Sequence, residues 1–333
     1  QALEDHYSPS RWSPRLDRDT IIDAHLAVTA AGAERAAAGQ GLRSVPRPLL
    51  HRLPPPGTER ARAGAQTLLH VPYGSGDREK LDIYFPTDPS ETFPALVYIH
   101  GGYWQSLSKD DSGFAAPPLV SQGVAVVAVG YDIAPKGRCC PAEAAAACTA
   151  PRPPALPFVL CSGHMDAMVL QVRRSLVFLV EQYPRIRGIY LCGHSAGAHL
   201  AAMVLSTDWT EFQVVPDIKG AVLVSGVYDL EPLVHTYVND ALNMSREVAQ
   251  RNSPMRHVPP AVPAACEVLV AVAQHDSPEF RRQSQEYSQA LRAAGWSVSL
   301  LDLAGVDHFD VIEKLSEDSY VLTQVGRRAV PRQ

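Results

Sequence analysis

The residues best suited to chemistry in this sequence are Gly193-His194-Ser195-Ala196-Gly197, which have the pattern G-x-S-x-G. They follow the apolar run 188–192 and precede an alanine-rich stretch, so they predict a tight turn from a strand into a helix. A serine at such a turn holds its hydroxyl above the edge of a sheet, and the flanking glycines allow the close backbone packing that the turn requires. We therefore predict that Ser195 is a nucleophile.

A serine nucleophile needs a histidine to accept its proton and a carboxylate to orient the imidazole. After a strand-to-helix turn of this kind, the expected chain order is Ser, then Asp, then His. We predict His308 as the base because it follows the last predicted strand. His275 is its one serious rival, whereas His235 and His257 lie in polar or proline-rich loops.

Asp276 is the predicted acid, since it ends the strand before the one that leads to His308. Its structural alternative is to cap the next helix, a role for which Ser277 competes. Asp229, which follows an earlier strand, is the alternative acid. Asp307 adjoins His308, and adjacent side chains rarely face each other, so we predict that Asp307 caps the loop.

Acyl hydrolysis also needs hydrogen-bond donors aimed at the oxyanion that develops on the substrate. The run 100–104 (HGGYW) follows an apolar strand, and its glycine pair exposes backbone N–H groups. We predict an oxyanion hole made by Gly101, Gly102 and the N–H of Ala196. The alternative is an ordinary Gly-Gly turn.

The other side chains of the HGGYW run receive separate predictions. His100 braces the loop by hydrogen bonding and takes no part in acid–base chemistry. Tyr103 and Trp104 line an aromatic acyl or leaving-group pocket, and core packing is the alternative that would also explain them.

These residues need a framework of strands and helices, and the sequence from Thr67 onward alternates between the two. Continuous β-branched runs without polar alternation fit central parallel strands covered on both faces. The predicted class is therefore α/β, with an open, mostly parallel sheet behind a leading antiparallel hairpin. The predicted strands are 67–73, 81–84, 95–99, 123–129, 188–192, 220–225, 268–273 and 298–303, and the predicted helices are 166–182, 196–205 and 280–293.

Two stretches, 33–64 and 137–163, interrupt this order with alanine, proline, arginine and glycine but no durable period. Each has too little apolar content to offset its ordering entropy, so we expect long loops or disorder. This predicts an N-terminal helical or irregular segment, 1–66, and one catalytic domain, 67–333, interrupted by an insertion at 137–163. Four of the six cysteines (139, 140, 148 and 161) cluster inside the second stretch, but their spacing is not that of a zinc site, so we predict no metal.

Composition excludes several classes of protein. The 333 residues are 46% hydrophobic and 20% charged, which is enough apolar material for a large core. Thirty basic residues against 35 acidic ones, without a basic stripe, make nucleic acid an improbable partner. No segment reaches about 18 uninterrupted apolar residues, so we expect no membrane span. The first residue is Gln1 and not Met, so we expect that the natural chain begins upstream.

The sequence resembles the vertebrate kynurenine formamidase (arylformamidase) family, in the hormone-sensitive-lipase-like branch of the α/β-hydrolases. HGGYW is specific to that family, whereas G-x-S-x-G is shared across the superfamily, and the similarity also covers 7–16. The segments that carry it are LLHVPYG (68–74), LDIYFP (81–86), HGGYWQS (100–106), IYLCGHSAGAHLAAM (189–203), LVSGVYDLEP (223–232), AQRNSP (249–254), DSPEF (276–280) and VDHFD (306–310).

The resemblance implies a serine hydrolase that converts N-formyl-L-kynurenine to L-kynurenine and formate, with Ser195 as nucleophile, Asp276 as acid and His308 as base. It implies a small-molecule substrate, no cofactor, a homodimer, and a cytosolic location with the nucleus as a second one. The chain departs from the family at its two alanine- and proline-rich stretches, which we interpret as an imperfect gene model or a retained intron. The alternatives are a general short-acyl carboxylesterase, a ligand-binding relative and an inactive isoform.

Overall fold

A single sheet of eight strands organises the part of the chain that the computed structural model describes, namely residues 2–29, 57–88, 90–135, 164–261 and 266–324. The strands are β1 (Thr67–Pro72), β2 (Lys80–Tyr84), β3 (Phe93–Ile99), β4 (Ala125–Val129), β5 (Ile186–His194), β6 (Ile218–Val224), β7 (Glu267–His275) and β8 (Ser297–Asp307). Their spatial order is β1-β2-β4-β3-β5-β6-β7-β8. The β1–β2 and β2–β4 pairs are antiparallel and all other pairs are parallel.

Helices connect these strands and cover the sheet. Within the described ranges they are α1 (Ala2–His6), α2 (Arg18–Thr29), α3 (Gly57–Gly64), α4 (Pro117–Val120), α5 (Met165–Gln182), α6 (Ala196–Leu205), α7 (Asn239–Leu242), α8 (Arg246–Arg251), α9 (Pro278–Ala293) and α10 (Asp310–Glu313). None of these helices is both long and apolar enough to cross a lipid bilayer.

The core lies in two layers because successive side chains of a strand point to opposite faces of the sheet. In β3, Val97 and Ile99 belong to one buried cluster, and Leu96 and Tyr98 belong to the other. All five residues of β4 are buried, as expected for a strand covered on both faces. The predicted α/β class, a mostly parallel sheet with helices on both faces, is confirmed.

Helix α6 is the most buried of the described helices. All ten of its residues are buried, which fits its apolar composition on every side. The longer α5 buries one face only, with Met168, Val172, Leu176 and Leu179 at helical spacing in the same cluster. The core therefore encloses α6, and this packing fixes the position of Ser195, the residue just before the helix.

Each of the eight predicted strands overlaps an observed one, and the ends differ by at most four residues. The largest difference is in β8, which continues to Asp307, so that His308 follows the strand directly. The predicted antiparallel hairpin is also present. Its turn is held by the carboxylate of Glu79, which accepts a hydrogen bond from the N–H of Gly76 at 2.6 Å.

The expectation of a loop or disorder over 33–64 is wrong for its last eight residues, which form α3. Tertiary contacts replace the missing sequence periodicity: the hydroxyl of Thr58 donates to the carbonyl of Thr29 at 2.6 Å and accepts from the N–H of Gly113 at 2.9 Å. The side chain of Arg62 pairs with Asp82. The remainder of 33–64, the stretch 137–163 and the four clustered cysteines lie outside the described residues.

The contact between α6 and the end of β3 yields a test of the fold. A Cβ atom added at Gly197 would lie 2.0 Å from the carbonyl oxygen of Ile99 and 2.6 Å from that of His100. Backbone atoms cannot move aside cheaply, so Gly197→Ala should lower the free energy of unfolding by about 1–3 kcal/mol or more. Denaturant titration followed by circular dichroism measures it.

Gly64→Ala is the matched control for Gly197→Ala. Gly64 also lies in a helix, and a Cβ atom there would meet nothing within 4 Å. Alanine should leave stability unchanged or raise it by a few tenths of a kcal/mol. Equal stability of the two variants would contradict the close packing of α6 on β3.

Candidate active site

Ser195 occupies a strained backbone position between β5 and α6. Its φ is 55° and its ψ is −120°, a combination that a non-glycine residue adopts only when its surroundings enforce it. A Cβ atom at Gly193 would lie 2.3 Å from the carbonyl oxygen of Gly197, so both glycines are needed for the turn. The N–H of Ser195 donates to the carbonyl of Val224 at 2.9 Å, which ties the turn to β6.

His308 and Asp276 form a buried pair after β8 and β7. Nδ1 of His308 lies 3.0 Å from each carboxylate oxygen of Asp276, and the side chains are almost fully buried. The carboxylate also accepts from the N–H of Ser277 at 2.8 Å, which fixes its rotation. Because Asp276 engages Nδ1, the nitrogen of His308 left for chemistry is Nε2.

The rival acids lie in different surroundings. The carboxylate of Asp229 accepts from the N–H of Glu231 at 3.2 Å and does not pair with His308. Asp307 accepts from the N–H groups of Phe309 and Asp310 at 2.9 and 2.8 Å, so the prediction that it caps the loop is confirmed.

The rival histidines also lie elsewhere. His275, at the end of β7, pairs with Asp307 in the register of β7 and β8 and is absent from the cavity described below. His235 and His257 are exposed. Among the predicted histidines, His308 is therefore the one that lies beside Ser195.

The predicted oxyanion loop touches the Ser195 turn. A Cβ atom at Gly101 would lie 2.8 Å from the carbonyl oxygen of His194 and 3.1 Å from Cβ of Ser195. Gly102 has a φ of +91°, which glycine adopts without strain. Among the described residues, the N–H groups of Gly101, Gly102 and Ala196 have no hydrogen-bond acceptor. They are thus available to a ligand at Ser195.

His100 is enclosed beneath this loop. Its ring stacks on Tyr131 with a centroid distance of 4.2 Å and an interplanar angle of 10°, and its Nδ1 lies 3.0 Å from the carbonyl oxygen of Gly101. Burial lowers the pKa of His100 to about 4. The ring is therefore neutral near pH 7, with Nδ1–H as the donor that braces the loop.

The two aromatic residues of the loop have different positions. Tyr103 lines the cavity in front of Ser195, and its hydroxyl donates to the carbonyl of Tyr7. The prediction that Trp104 also lines the pocket is wrong: its side chain is fully buried in the core, edge-on to His199 at 5.1 Å. Core packing, the alternative reading, accounts for Trp104 because its large apolar ring is removed from water there.

Ser195 and His308 open into one cavity of about 500 Å³, a size typical of small-molecule sites. Much of the wall is apolar, which suits an aromatic ring, and a few polar and charged side chains interrupt it. The apolar side chains include those of Ile22, Leu26, Leu107, Ile133, Val238 and Phe309.

The N-terminal segment builds part of this cavity, which sequence reasoning missed. Pro9 and Ser10 line it together with Ile22, His25 and Leu26 of α2. Tyr7 is fully buried, and its hydroxyl donates to Glu279 and accepts from Nε2 of Gln283, both at 2.9 Å. The one sequence signal for these contacts was the family similarity over 7–16, since no local pattern links positions so far apart.

Arg15 fastens the N-terminal segment to the loop that carries His308. Its guanidinium donates to both oxygens of Asp307, at 2.8 and 3.1 Å, and lies 2.9 Å from Asp310 and 3.2 Å from Glu313. Burial alone would raise the pKa of Asp307, but hydrogen bonds from Arg15, Ser13 and two backbone N–H groups outweigh it. The pKa of Asp307 is therefore held well below its usual range.

Three histidines line the cavity in a row. The ring of His194 lies 4.6 Å from that of His308 and 6.4 Å from that of His25, and Nδ1 of His25 lies 2.9 Å from Glu313. Burial and the neighbouring His308 and His25 lower the pKa of His194 well below its usual value. His194 therefore stays neutral and donates from Nε2 to the carbonyl of His308 at 2.8 Å, which positions the loop.

One cluster of side chains of the types that bind metal ions occurs in the described part of the chain, and it consists of His70, Asp82 and Asp110. Its carboxylates already hold cationic side chains, since Nζ of Lys109 lies 2.8 Å from Asp82 and Arg62 lies 2.8 Å from Asp82 and 2.6 Å from Asp110. This group is an ion-pair cluster that ties α3 to β2, and it leaves little room for a metal ion.

This chain is similar to known hydrolases in sequence and in fold. The α/β hydrolase fold family matches residues 96–311. Kynurenine formamidase from Danio rerio is 50% identical over 97% of this chain and 94% of its own length, and the enzyme of that name from Drosophila melanogaster is 27% identical over 76% and 78%. The solved structure of an arylesterase, at 14% identity, matches the fold with a TM-score of 0.60 and covers 94% of this chain and 89% of its own.

The position of Asp307 gives a test by pH. Its pKa in the folded chain is below that in the unfolded chain, so the ionised form stabilises the fold above about pH 4, and this contribution is lost as the pH falls through the folded-state pKa. Asp307→Asn should cost about 1.5–3 kcal/mol of unfolding free energy at pH 7, the scale of hydrogen bonds to a charged group. The difference from wild type should shrink below about pH 4.

Asp302→Asn is the matched control on the same strand. Asp302 also pairs with an arginine, Arg281, but its side chain is 48% exposed. Exposed pairs contribute about 0.2–1 kcal/mol, so the cost should be small at every pH. Thermal unfolding of both variants from acid to neutral pH makes the measurement, and equal losses would contradict the role of Asp307 in fastening the loop.

Proposed function

The chain belongs to the kynurenine formamidase family of α/β-hydrolases and hydrolyses the formamide bond of N-formyl-L-kynurenine, and we propose that Ser195, His308 and Asp276 carry out this reaction. The family assignment rests on 50% identity over nearly the whole of both chains. The products are L-kynurenine and formate, within tryptophan catabolism.

The observation that supports the proposed triad best is the geometry of His308. Its Nδ1 lies 3.0 Å from both oxygens of Asp276, and the same side chain shares a cavity with Ser195. A histidine held in this way presents an unprotonated Nε2 to the serine, and the buried carboxylate stabilises the imidazolium that forms after proton transfer.

The reaction proceeds through a formyl-enzyme. Oγ of Ser195 attacks the formyl carbon while Nε2 of His308 takes its proton, and the N–H groups of Gly101, Gly102 and Ala196 stabilise the oxyanion. His308 then passes this proton to the aniline nitrogen as the C–N bond breaks, which releases L-kynurenine. A water molecule attacks the formyl ester, His308 takes the water's proton and returns it to Ser195, and formate leaves.

The same groups could hydrolyse a short-acyl ester. An isoprenylcysteine methylesterase from Arabidopsis thaliana is 25% identical over 72% of this chain. The kynurenine formamidase from Danio rerio is 50% identical over 97% and is the nearer of these two relatives. Turnover of N-formyl-L-kynurenine against that of a p-nitrophenyl ester compares the two activities directly.

We also propose that the chain forms a homodimer and acts in the cytosol, with the nucleus as a second location. Both proposals rest on the family resemblance alone. Light scattering during gel filtration measures the mass of the assembly, and tagged protein in cells reports its location.

The nucleophile is tested with Ser195→Ala. This variant lacks the attacking oxygen, so formate release from N-formyl-L-kynurenine should fall by at least about 10⁴-fold, as in other serine hydrolases. Ser206→Ala is the control, because that hydroxyl donates to the carbonyl of Ala202 at the end of α6 and is absent from the cavity lining. Near-normal turnover by Ser195→Ala would refute the assignment.

The acid is tested by comparing Asp276→Asn with Asp229→Asn. An amide at 276 keeps the shape but cannot stabilise the imidazolium or select its tautomer, so kcat should fall by about 10⁴-fold. Asp229 accepts a local backbone hydrogen bond, and its variant should retain most of the activity. A large loss with Asp229→Asn and a small one with Asp276→Asn would assign the acid to Asp229.

A further inference from the structure

We propose that Arg78 binds the α-carboxylate of the substrate and so selects formamides that carry an amino-acid arm. This inference rests on the proposed function, since it concerns the part of N-formyl-L-kynurenine that takes no part in bond cleavage. The arm carries a carboxylate and an ammonium group, whereas the formanilide end is neutral. A cavity that recognises the arm must therefore offer fixed charge away from the nucleophile.

The cavity wall offers such a charge. Among its described lining residues, Arg78 is the one arginine and Asp111 the one carboxylic acid, so the two bear charges of opposite sign. The guanidinium of Arg78 donates one long hydrogen bond, 3.4 Å, to the carbonyl of Leu107 and pairs with no carboxylate in the described ranges. An arginine has five N–H donors in a planar fork, so the fork is left for a carboxylate ligand.

The topology puts Arg78 at the same edge of the sheet as Ser195. Strand β2 is antiparallel to β4, and Leu81 at its start pairs with Val129 at the end of β4. Arg78, just before β2, therefore lies at the same edge as Ser195, three strand positions from β5. That separation is about 14 Å between backbones. The arginine side chain spans part of it, and the substrate's ring and arm can span the rest.

The histidines that line the cavity suit the substrate's carboxylate less well than Arg78 does. Nδ1 of His25 is already paired with Glu313, and His194 is kept neutral by burial. The charge of Arg78 also acts on its surroundings: burial is the main cause that lowers the pKa of His100, and the nearby guanidinium lowers it further. Arg78 is thus close to the oxyanion loop while its fork is unpaired.

The test uses two substrates that share the formanilide: N-formyl-L-kynurenine, and N-formylkynuramine, which lacks the carboxylate. Arg78→Met should raise KM for the first about 10- to 100-fold, the scale of a lost charge-assisted hydrogen bond, and should leave kcat little changed. The same variant should hydrolyse N-formylkynuramine as wild type does. Arg78→Lys, which keeps the charge but loses the fork, should give an intermediate KM.

Arg292→Met is the matched control, because Arg292 also donates one hydrogen bond to a backbone carbonyl, that of Val298, but is absent from the cavity lining. It should behave as wild type with both substrates. An equal rise in KM for both substrates with Arg78→Met, or no rise for either, would overturn the inference.

The wild-type protein supplies a second measurement that does not depend on the folding of a variant. L-kynurenine should inhibit it more strongly than kynuramine does, and equal inhibition by the two would also overturn the inference. If wild type releases formate from neither formamide, the proposed function fails, and this inference fails with it.

Discussion

The close approach of helix α6 to the end of β3 is the contact on which the rest of the site depends. The contact is possible only because position 197 has no side chain: a single added carbon would lie 2.0 Å from a carbonyl oxygen of β3. It brings the first N–H of the helix beside the loop that follows β3, and it forces Ser195 into a backbone conformation with a φ of 55°. Core packing of the ten buried residues of α6 stabilises this strained turn.

A second constraint acts on the histidine side of the cavity and comes from the N-terminal segment. His308 follows a long strand, and its loop is held from two directions: Arg15 binds Asp307 with two hydrogen bonds, and His194 donates to the carbonyl of His308. The Arg15 bonds join residues 292 positions apart in the chain, and the His194 bond joins residues 114 positions apart. The segment before β1 is therefore part of the site, even though the sheet begins only at Thr67.

The sequence predicted those features that depend on short-range pattern. Apolar runs identified the strands, and the G-x-S-x-G pattern and the order of residues along the chain selected Ser195, Asp276 and His308, which the fold brings to one edge of the sheet. Trp104 was assigned to the wrong place because sequence alone cannot tell whether an aromatic side chain in a loop faces a cavity or the core. Helix α3 was missed because its order depends on bonds to Thr29 and Gly113, which no local pattern reveals.

Selection among substrates must come from the cavity wall, because the reacting groups themselves do not distinguish a formamide from an ester. Solved esterases share this fold at low sequence identity, so the fold by itself does not select the substrate. Much of the wall that surrounds the reacting groups comes from α2, the β1–β2 turn with Arg78, and residues 105–108 of the loop after β3. A neutral ring fits the apolar part of the wall, whereas a charged arm is stable there only beside groups of opposite charge, since an unpaired ion in a partly buried cavity loses its hydration. The charged wall thus favours a substrate with an amino-acid arm and disfavours a plain alkyl ester, although both could be attacked by the same serine.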